Sequence, residues 1–482
     1  MAQQTVLAVD LGAESGRVMA VHFDGSSLSL QELHRFANTP VNVRGALYWN
    51  VLGLWRDVQA GLQKGQSLQP AALGVDTWGV DFGLLDEQGE LLGNPVHYRD
   101  ARTEGMMETA FERVPRDEIF RRTGIQFMPI NTLYQLLSLA RRRSPQLEVA
   151  ATFLTMPDLL NYWLTGARVC EYTIASTTQM LDARSGEWAT DIMERLDIPA
   201  HIFPDIAPPG TRLGQYDGVP VIAPACHDTG SAVAAVPIAT AAGREAAYIS
   251  SGTWSLVGLE VDQPALGQAA LAANVTNEGG VAGTYRLLKN VTGLWILQQC
   301  RQTWAAAGHE YDYEQLVALA QEAPPLRSLL QVDDEAFLPP GDHPQIVRDA
   351  CRRTSQPAPQ THGEVVRAVL ESLALAYRRV LEQLETVSGR TVEVIHIVGG
   401  GSQNELLNQM TADATGRSVL AGPVEATVLG NALVQLITLG ELRDIHEARQ
   451  LVANSGHLRR YEPQNTGAWD EAYGRYQELA AR

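Results

Sequence analysis

Two stretches of the chain, residues 5–23 and 246–261, repeat one pattern: a short apolar run, a turn of small and polar residues, and a second apolar run. In the first copy residues 5–9 lead through Asp10-Leu11-Gly12-Ala13-Glu14-Ser15-Gly16-Arg17 into residues 18–23. In the second, Ala246-Ala247-Tyr248-Ile249 leads through Ser250-Ser251-Gly252-Thr253-Trp254 into Ser255-Leu256-Val257. The likeness is one of pattern rather than of letters, and the second copy begins about halfway along 482 residues. A hairpin recurring at half length predicts duplicated halves, each opening on a turn whose backbone N–H groups can cradle phosphate, facing each other across a cleft.

Between these hairpins, strand-like runs alternate with amphipathic helical stretches, so the fold class is α/β. The boundary is expected near residues 237–243, where Ala, Thr and Gly dominate and periodicity lapses, giving domains over 1–240 and 241–482. Residues 361–389 open with Thr361 and Glu364 at capping-box spacing and carry Val366, Leu370, Leu373, Tyr377, Leu381 and Leu384 on one face; they predict a long core-facing helix. Residues 392–398 read as a buried strand, Gly399-Gly400-Gly401 as a tight turn, and 404–415 as a helix stopped by Gly416.

A formal net charge of −18 disfavours nucleic acid and anionic membrane surfaces, and Arg141-Arg142-Arg143 is too short to offset it. Cys170, Cys226, Cys300 and Cys351 are scattered, without a CxxC or a histidine at ligand spacing, which argues against a zinc site or disulfide framework. The polar start runs straight into the first strand with no basic region or long apolar stretch, so a cytoplasmic chain is expected.

Asp10 ends a strand before small turn residues, a position suited to holding Mg²⁺ through water, although Asp-Leu-Gly after a strand is commonly just a turn. Asp228, in Cys226-His227-Asp228-Thr229-Gly230-Ser231 after the strand-like residues 219–223, falls at a helix N-terminus, where the dipole favours its ionised form. Position alone leaves a structural cap and a catalytic base both open. Gly74-Val75-Asp76-Thr77-Trp78-Gly79-Val80-Asp81-Phe82 puts polar and aromatic groups just past a strand, where α/β sheets collect ligands; a core Trp flanked by solvated aspartates is the alternative. His97-Tyr98-Arg99-Asp100-Ala101-Arg102 suits sugar hydroxyls but reads, for Arg102, as a surface ion-pair cluster. No GxxxxGK[ST] occurs, which excludes a P-loop enzyme.

These residues together, with Ser250-Ser-Gly-Thr-Trp-Ser255 and His396-Ile-Val-Gly-Gly-Gly401-Ser-Gln-Asn404, resemble the FGGY carbohydrate kinases over essentially the whole chain, and within them the branch acting on L-rhamnulose. The resemblance implies two actin-like, ribonuclease-H-like domains with ATP and sugar in an interdomain active-site cleft. It implies Asp228 as proton acceptor; Gly79, His227, Asp228, Thr229 and Asn290 as sugar contacts; Ala13, Glu14, Ser15, Gly16, Arg17, Thr253, Gln298 and Gly400 as nucleotide contacts; and Asp10 at Mg²⁺. Many relatives carry Thr or Ser where this chain has Ala13 and Glu14, which shifts phosphate contact to backbone amides, Ser15 and Arg17. The expected reaction is phosphorylation of the C1 hydroxyl of L-rhamnulose by ATP. An L-fuculose kinase is the runner-up, and an actin-like ATPase driving partner binding the more remote rival.

Overall fold

The computed structural model describes residues 3–238, 245–455 and 458–480, so the boundary expected at 237–243 lies largely outside the described residues. The chain forms two compact units. The first comprises Met1–Thr240, Glu260–Leu288 and Glu425–Gly456; the second comprises Ala241–Leu259, Lys289–Val424 and His457–Arg482. Two segments from the second half of the sequence therefore fold with the first.

The first unit is built on a mixed six-stranded sheet in the order Arg212–Tyr216, Val219–Ile222, Ala72–Thr77, Gln4–Leu11, Ser15–Phe23, Leu28–Ala37. Gln4–Leu11 pairs antiparallel with Ser15–Phe23 and parallel with Ala72–Thr77, which is parallel in turn to Val219–Ile222. Ala72–Thr77 is buried throughout, as a central strand covered on both faces must be. The register sets Asp10 opposite Asp76 at the carboxyl ends of two neighbouring parallel strands, and opposite Arg17 at the start of the antiparallel one.

The helix Ala426–Leu439 lies against the short helix Asp228–Ala234 so closely that a Cβ on Gly430 would stand 1.7 Å from the Ser231 carbonyl oxygen; only glycine fits there. One residue on, Asn431 Nδ2 donates to Asp76 Oδ2 at 2.6 Å, and Gln435 Nε2 donates to the Leu7 carbonyl at 3.0 Å. This close contact ties the helix that begins at Asp228 to the sheet that carries Asp10 and Asp76.

The second unit repeats the strand logic of the first. Ala246–Ser251 pairs antiparallel with Ser255–Val261 and parallel with Val394–Val398, which is followed by parallel Ser418–Ala421 and antiparallel Arg459–Tyr461. A hairpin whose first strand takes a parallel neighbour from far along the chain thus occurs in both units, as the recurring sequence pattern anticipates. The long helix runs His362–Ser388, with the Thr361–Glu364 capping box formed and Gly389 closing it in the left-handed region at φ 70°. Asn404 caps Glu405–Thr415, and Gly416 ends it. A final helix, Thr466–Ala480, completes the described chain. Among the described residues no helix is long and apolar enough to cross a membrane.

Candidate active site

In the first unit the parallel strands deliver three carboxylates to one neighbourhood. Asp10 is buried, and its Oδ2 accepts from Arg17 Nε at 3.0 Å and Nη2 at 2.5 Å. Arg17 Nη2 also pairs with Glu425 Oε2 at 3.0 Å, so the guanidinium expected at phosphate is held between two acids. Asp76 is fully buried, and burial, then the charges of Asp10 and Asp228, push its carboxyl well above the usual range. Its Oδ1 has no hydrogen-bond partner among the described residues. The motif's aspartates are therefore not solvated, because the parallel pairing of Ala72–Thr77 carries Asp76 into the core.

Asp228 occupies the first position of Asp228–Ala234, with His227 as the N-cap residue. Its side chain keeps 30% of its surface open, and Oδ1 accepts from Thr229 N at 2.5 Å and Thr229 Oγ1 at 3.1 Å, with His227 Nε2 at 3.4 Å. The helix dipole was expected to favour ionisation; instead the surrounding protein, and then the charge of Asp10, raise the carboxyl above its ordinary value against the pull of His227. A helix of seven residues has a weak end field, and desolvation with a like charge outweighs it.

Gly79 and His227 lie together here, while Asn290 is in the other unit. Thr77 bridges to His227 in parallel register, and a Cβ on Gly79 would meet His227 Nε2 at 3.3 Å and Thr177 Oγ1 at 3.2 Å. Val80, a β-branched residue at φ 66°, is held in that strained conformation by the bond from its N–H to Thr177 Oγ1 and by Thr132 Oγ1 on its carbonyl at 2.7 Å. Trp78 is buried, and its indole N–H donates to Asp81 Oδ2 alongside Trp49 Nε1. The aromatic pair therefore backs the turn rather than forming a wall for substrate. The His97–Arg102 segment is likewise not a surface ion-pair cluster. His97 stacks on Trp49, Asp100 caps the Ala101–Thr103 turn and accepts from Leu47 N, and Arg102 donates to Gln135.

A buried acidic chain that no local sequence pattern marks braces the turn that carries Asp228. Glu171 Oε2 accepts from Cys226 N at 3.0 Å and from Thr173 Oγ1 at 2.6 Å, while Thr173 Oγ1 accepts from His227 N at 3.1 Å. Asp158 Oδ1 in turn accepts from Glu171 N at 3.1 Å. Burial pushes Asp158 up to about 8 and Glu171 up to about 7. Between the ordinary aspartate value and about 8, the folded state keeps a proton that the unfolded chain has released, so stability falls as pH rises, by at most about 1.4 kcal/mol per pH unit for one group. Asp158→Asn, which cannot ionise, is expected to show a flatter fall in Tm between pH 5 and 8 than the parent; an unchanged slope in calorimetry would show that Asp158 is already ionised in the fold.

The nucleotide-side candidates are divided. Gly12, Ala13, Glu14 and Ser15 form the first turn, closed by Gly12 N on the Ser15 carbonyl, and Asn38 holds the carbonyls of Gly12 and Glu14. Glu14 is exposed, and Gly16 has no room for a side chain, since a Cβ would lie 2.4 Å from Phe36. In the second unit, Gln298 Nε2 reaches Thr253 Oγ1 at 3.4 Å, and Gln298 Oε1 is buried without a hydrogen-bond partner among the described residues. Gly399 and Gly401 press against Ser251, leaving Gly400 with open space where a side chain would be. An orphaned buried amide oxygen and a glycine with open space where a side chain would stand are each features that suit a polar ligand. Asn290 sits half-buried on Tyr285–Val291.

Among the described residues no group of three His, Cys, Asp or Glu side chains is placed to hold a metal directly. Asp10 and the free Asp76 Oδ1 instead suit a hydrated cation such as Mg²⁺, which keeps several of its waters.

Comparison with known proteins places these units. The N-terminal domain model of the FGGY family of carbohydrate kinases matches residues 5–247, and its C-terminal domain model matches 247–439. The chain is 45% identical over 485 residues to a rhamnulokinase of Bacteroides thetaiotaomicron, covering 98% of each, and 43% identical to one of Pectobacterium carotovorum, covering 100% of this chain and 97% of that one. In fold it resembles a gluconate kinase from Lactobacillus acidophilus, with TM-score 0.80, 18% identity and coverage of 100% and 98%. It also resembles a Plasmodium falciparum glycerol kinase crystallised with ADP, with TM-score 0.78, 14% identity and coverage of 99% and 98%. With two family models matching consecutive stretches over residues 5–439 and full-length relatives above two-fifths identity, the chain belongs to the FGGY family of carbohydrate kinases.

Proposed function

We propose that the chain transfers the γ-phosphoryl group of ATP to the C1 hydroxyl of L-rhamnulose, giving L-rhamnulose 1-phosphate and ADP. The observation that carries this reading is the full-length identity to rhamnulokinases, joined to Asp228 held open beside His227 and Gly79. In the reaction the O1–phosphorus bond forms, the bond from the γ-phosphorus to the β–γ bridging oxygen breaks, and the hydroxyl proton passes to the Asp228 carboxylate. A carboxyl raised above the ordinary range is the stronger base, and the rate should fall as pH drops through that raised value.

Gly79, His227, Thr229 and Asn290 contact the sugar. The amides of Ala13, Glu14, Ser15 and Gly16, with Arg17, meet phosphate, while Thr253, Gln298 and Gly400 hold the nucleotide. Residues 1–240 thus supply phosphate binding and, apart from Asn290, sugar binding, and residues 241–482 supply nucleotide binding. Asp10, with Asp76 beside it, holds hydrated Mg²⁺, which supplies neutralisation of the phosphate charge. The polar surroundings of Asp228 favour a sugar acceptor over the ATPase alternative, and the chain acts in the cytoplasm on small molecules, without nucleic acid or membrane partners. ADP release measured over a panel of ketoses tests this: L-rhamnulose is expected to be turned over best, and equal ADP release with no sugar present would favour the ATPase.

A further inference from the structure

Arg286 is fully buried, and each of its three nitrogens lies close to a polar atom. Nε donates to the Gly279 carbonyl at 2.8 Å, Nη1 lies 3.1 Å from Glu278 Oε2, and Nη2 lies 3.0 Å from His227 Nδ1. A guanidinium has five N–H donors, no acceptor, and keeps its proton at any physiological pH. A nitrogen 3.0 Å from it must therefore present a lone pair, because an N–H on Nδ1 would point at another N–H.

We infer that Arg286 is a positioning residue that fixes the tautomer of His227, leaving Nδ1 as acceptor and directing the ring's single proton from Nε2 towards Gly79 and Asp228. That face is where Nε2 lies 3.4 Å from Asp228 Oδ1 and 3.3 Å from the place a Gly79 Cβ would take. One group competes. Glu278 Oε2 stands 3.2 Å from the same Nδ1 and would draw a proton there if Arg286 were absent. The Arg286–Glu278 ion pair resolves the competition, because the charge of the carboxylate is balanced by the guanidinium that lies against the ring. His227 N is meanwhile held by Thr173, so the imidazole is fixed both through its backbone and through Nδ1. The effect on substrate rests on His227 contacting the sugar; the tautomer itself does not.

The test is two-bond ¹H–¹⁵N NMR of histidine-labelled protein at neutral pH without substrate, with the His227 signals identified by their loss in His227→Asn. The unmodified protein is expected to show the neutral Nε2–H form, and so is Glu278→Gln, which leaves the Arg286 donor in place. Arg286→Met is expected to move the proton to Nδ1, facing Glu278, and to lower kcat/KM for the ketose by about 10–100-fold, mainly through KM, with KM for ATP unchanged. Arg286→Lys restores a donor and should recover part of the loss. An Nδ1–H or doubly protonated His227 in the unmodified protein overturns the inference even if Arg286→Met does not fold. So does a folded Arg286→Met that keeps the Nε2–H form. If the tautomer is as inferred and no ketose is phosphorylated, the proposed reaction fails and the positioning role stands.

Discussion

Asp228→Asn is expected to fold and bind both substrates while kcat drops by about 10²–10⁴-fold, and further where orientation of the attacking hydroxyl is lost as well. The replacement is close in shape. The Thr229 N–H and hydroxyl now given to Oδ1 can be given to an amide oxygen, so the helix start at residue 228 keeps its bonds. What disappears is a site for the proton. The substitution also removes one of three mutually repelling carboxylates, since the charges of Asp10 and Asp228 both raise Asp76, and Tm is expected to hold or rise. The two readings of Asp228 separate on this pair of measurements. A cap residue whose loss matters structurally lowers Tm with little change in kcat; a base does the reverse. Near-normal turnover in the Asn variant would remove Asp228 from the chemistry.

How much of this was legible in the sequence depends on the distance over which each feature is determined. The two hairpins, the capping box at Thr361 and Glu364, the stop at Gly416 and the placement of Asp228 at a helix start are local. Each is written in period, turn chemistry and capping residues within a few positions. The two segments that leave the second half to fold with the first carry no such mark, because their membership is decided by packing such as Gly430 against Ser231. For the same reason the partners of Arg17 were hidden. Asp10 is its register neighbour in a hairpin and could have been paired with it, but Glu425 lies in a remote segment. Asp76 and Asp81 read as polar residues beside a tryptophan, and only the burial of their strand and turn turns them into core acids with raised pKa values. Arg286 and Glu278 gave no signal, since a charged residue near the end of a short strand looks solvated until its partner strand is known.

Ketose discrimination is expected to be steep at the secondary hydroxyls and shallow at C6. L-Rhamnulose should be preferred over its C4 epimer L-fuculose by more than over L-fructose, which only adds a hydroxyl at C6. A site built to pair a hydroxyl loses about 10⁴–10⁵-fold when that hydroxyl moves away and its buried partner is left unpaired, whereas an apolar contact rejects an added hydroxyl by only about 10²-fold. His227 and Asn290 are the proposed directional readers. An amide both donates and accepts, and an imidazole whose Nδ1 is occupied by Arg286 offers a single directed donor with little freedom to adapt to an epimer. Trp78 does not supply the shape contact at C6, because its indole is buried with its N–H spent on Asp81. The apolar group nearest the Gly79 position is the Thr177 methyl, whose Cγ2 lies 3.3 Å from where a Cβ would stand. A small methyl contact of that kind gives way to an extra hydroxyl more readily than an orphaned donor accepts an empty position, so the order L-rhamnulose, L-fructose, L-fuculose in kcat/KM follows. L-Fuculose turned over better than L-fructose would refute this division between directional and shape contacts, and L-fuculose turned over best of all would make the chain an L-fuculose kinase.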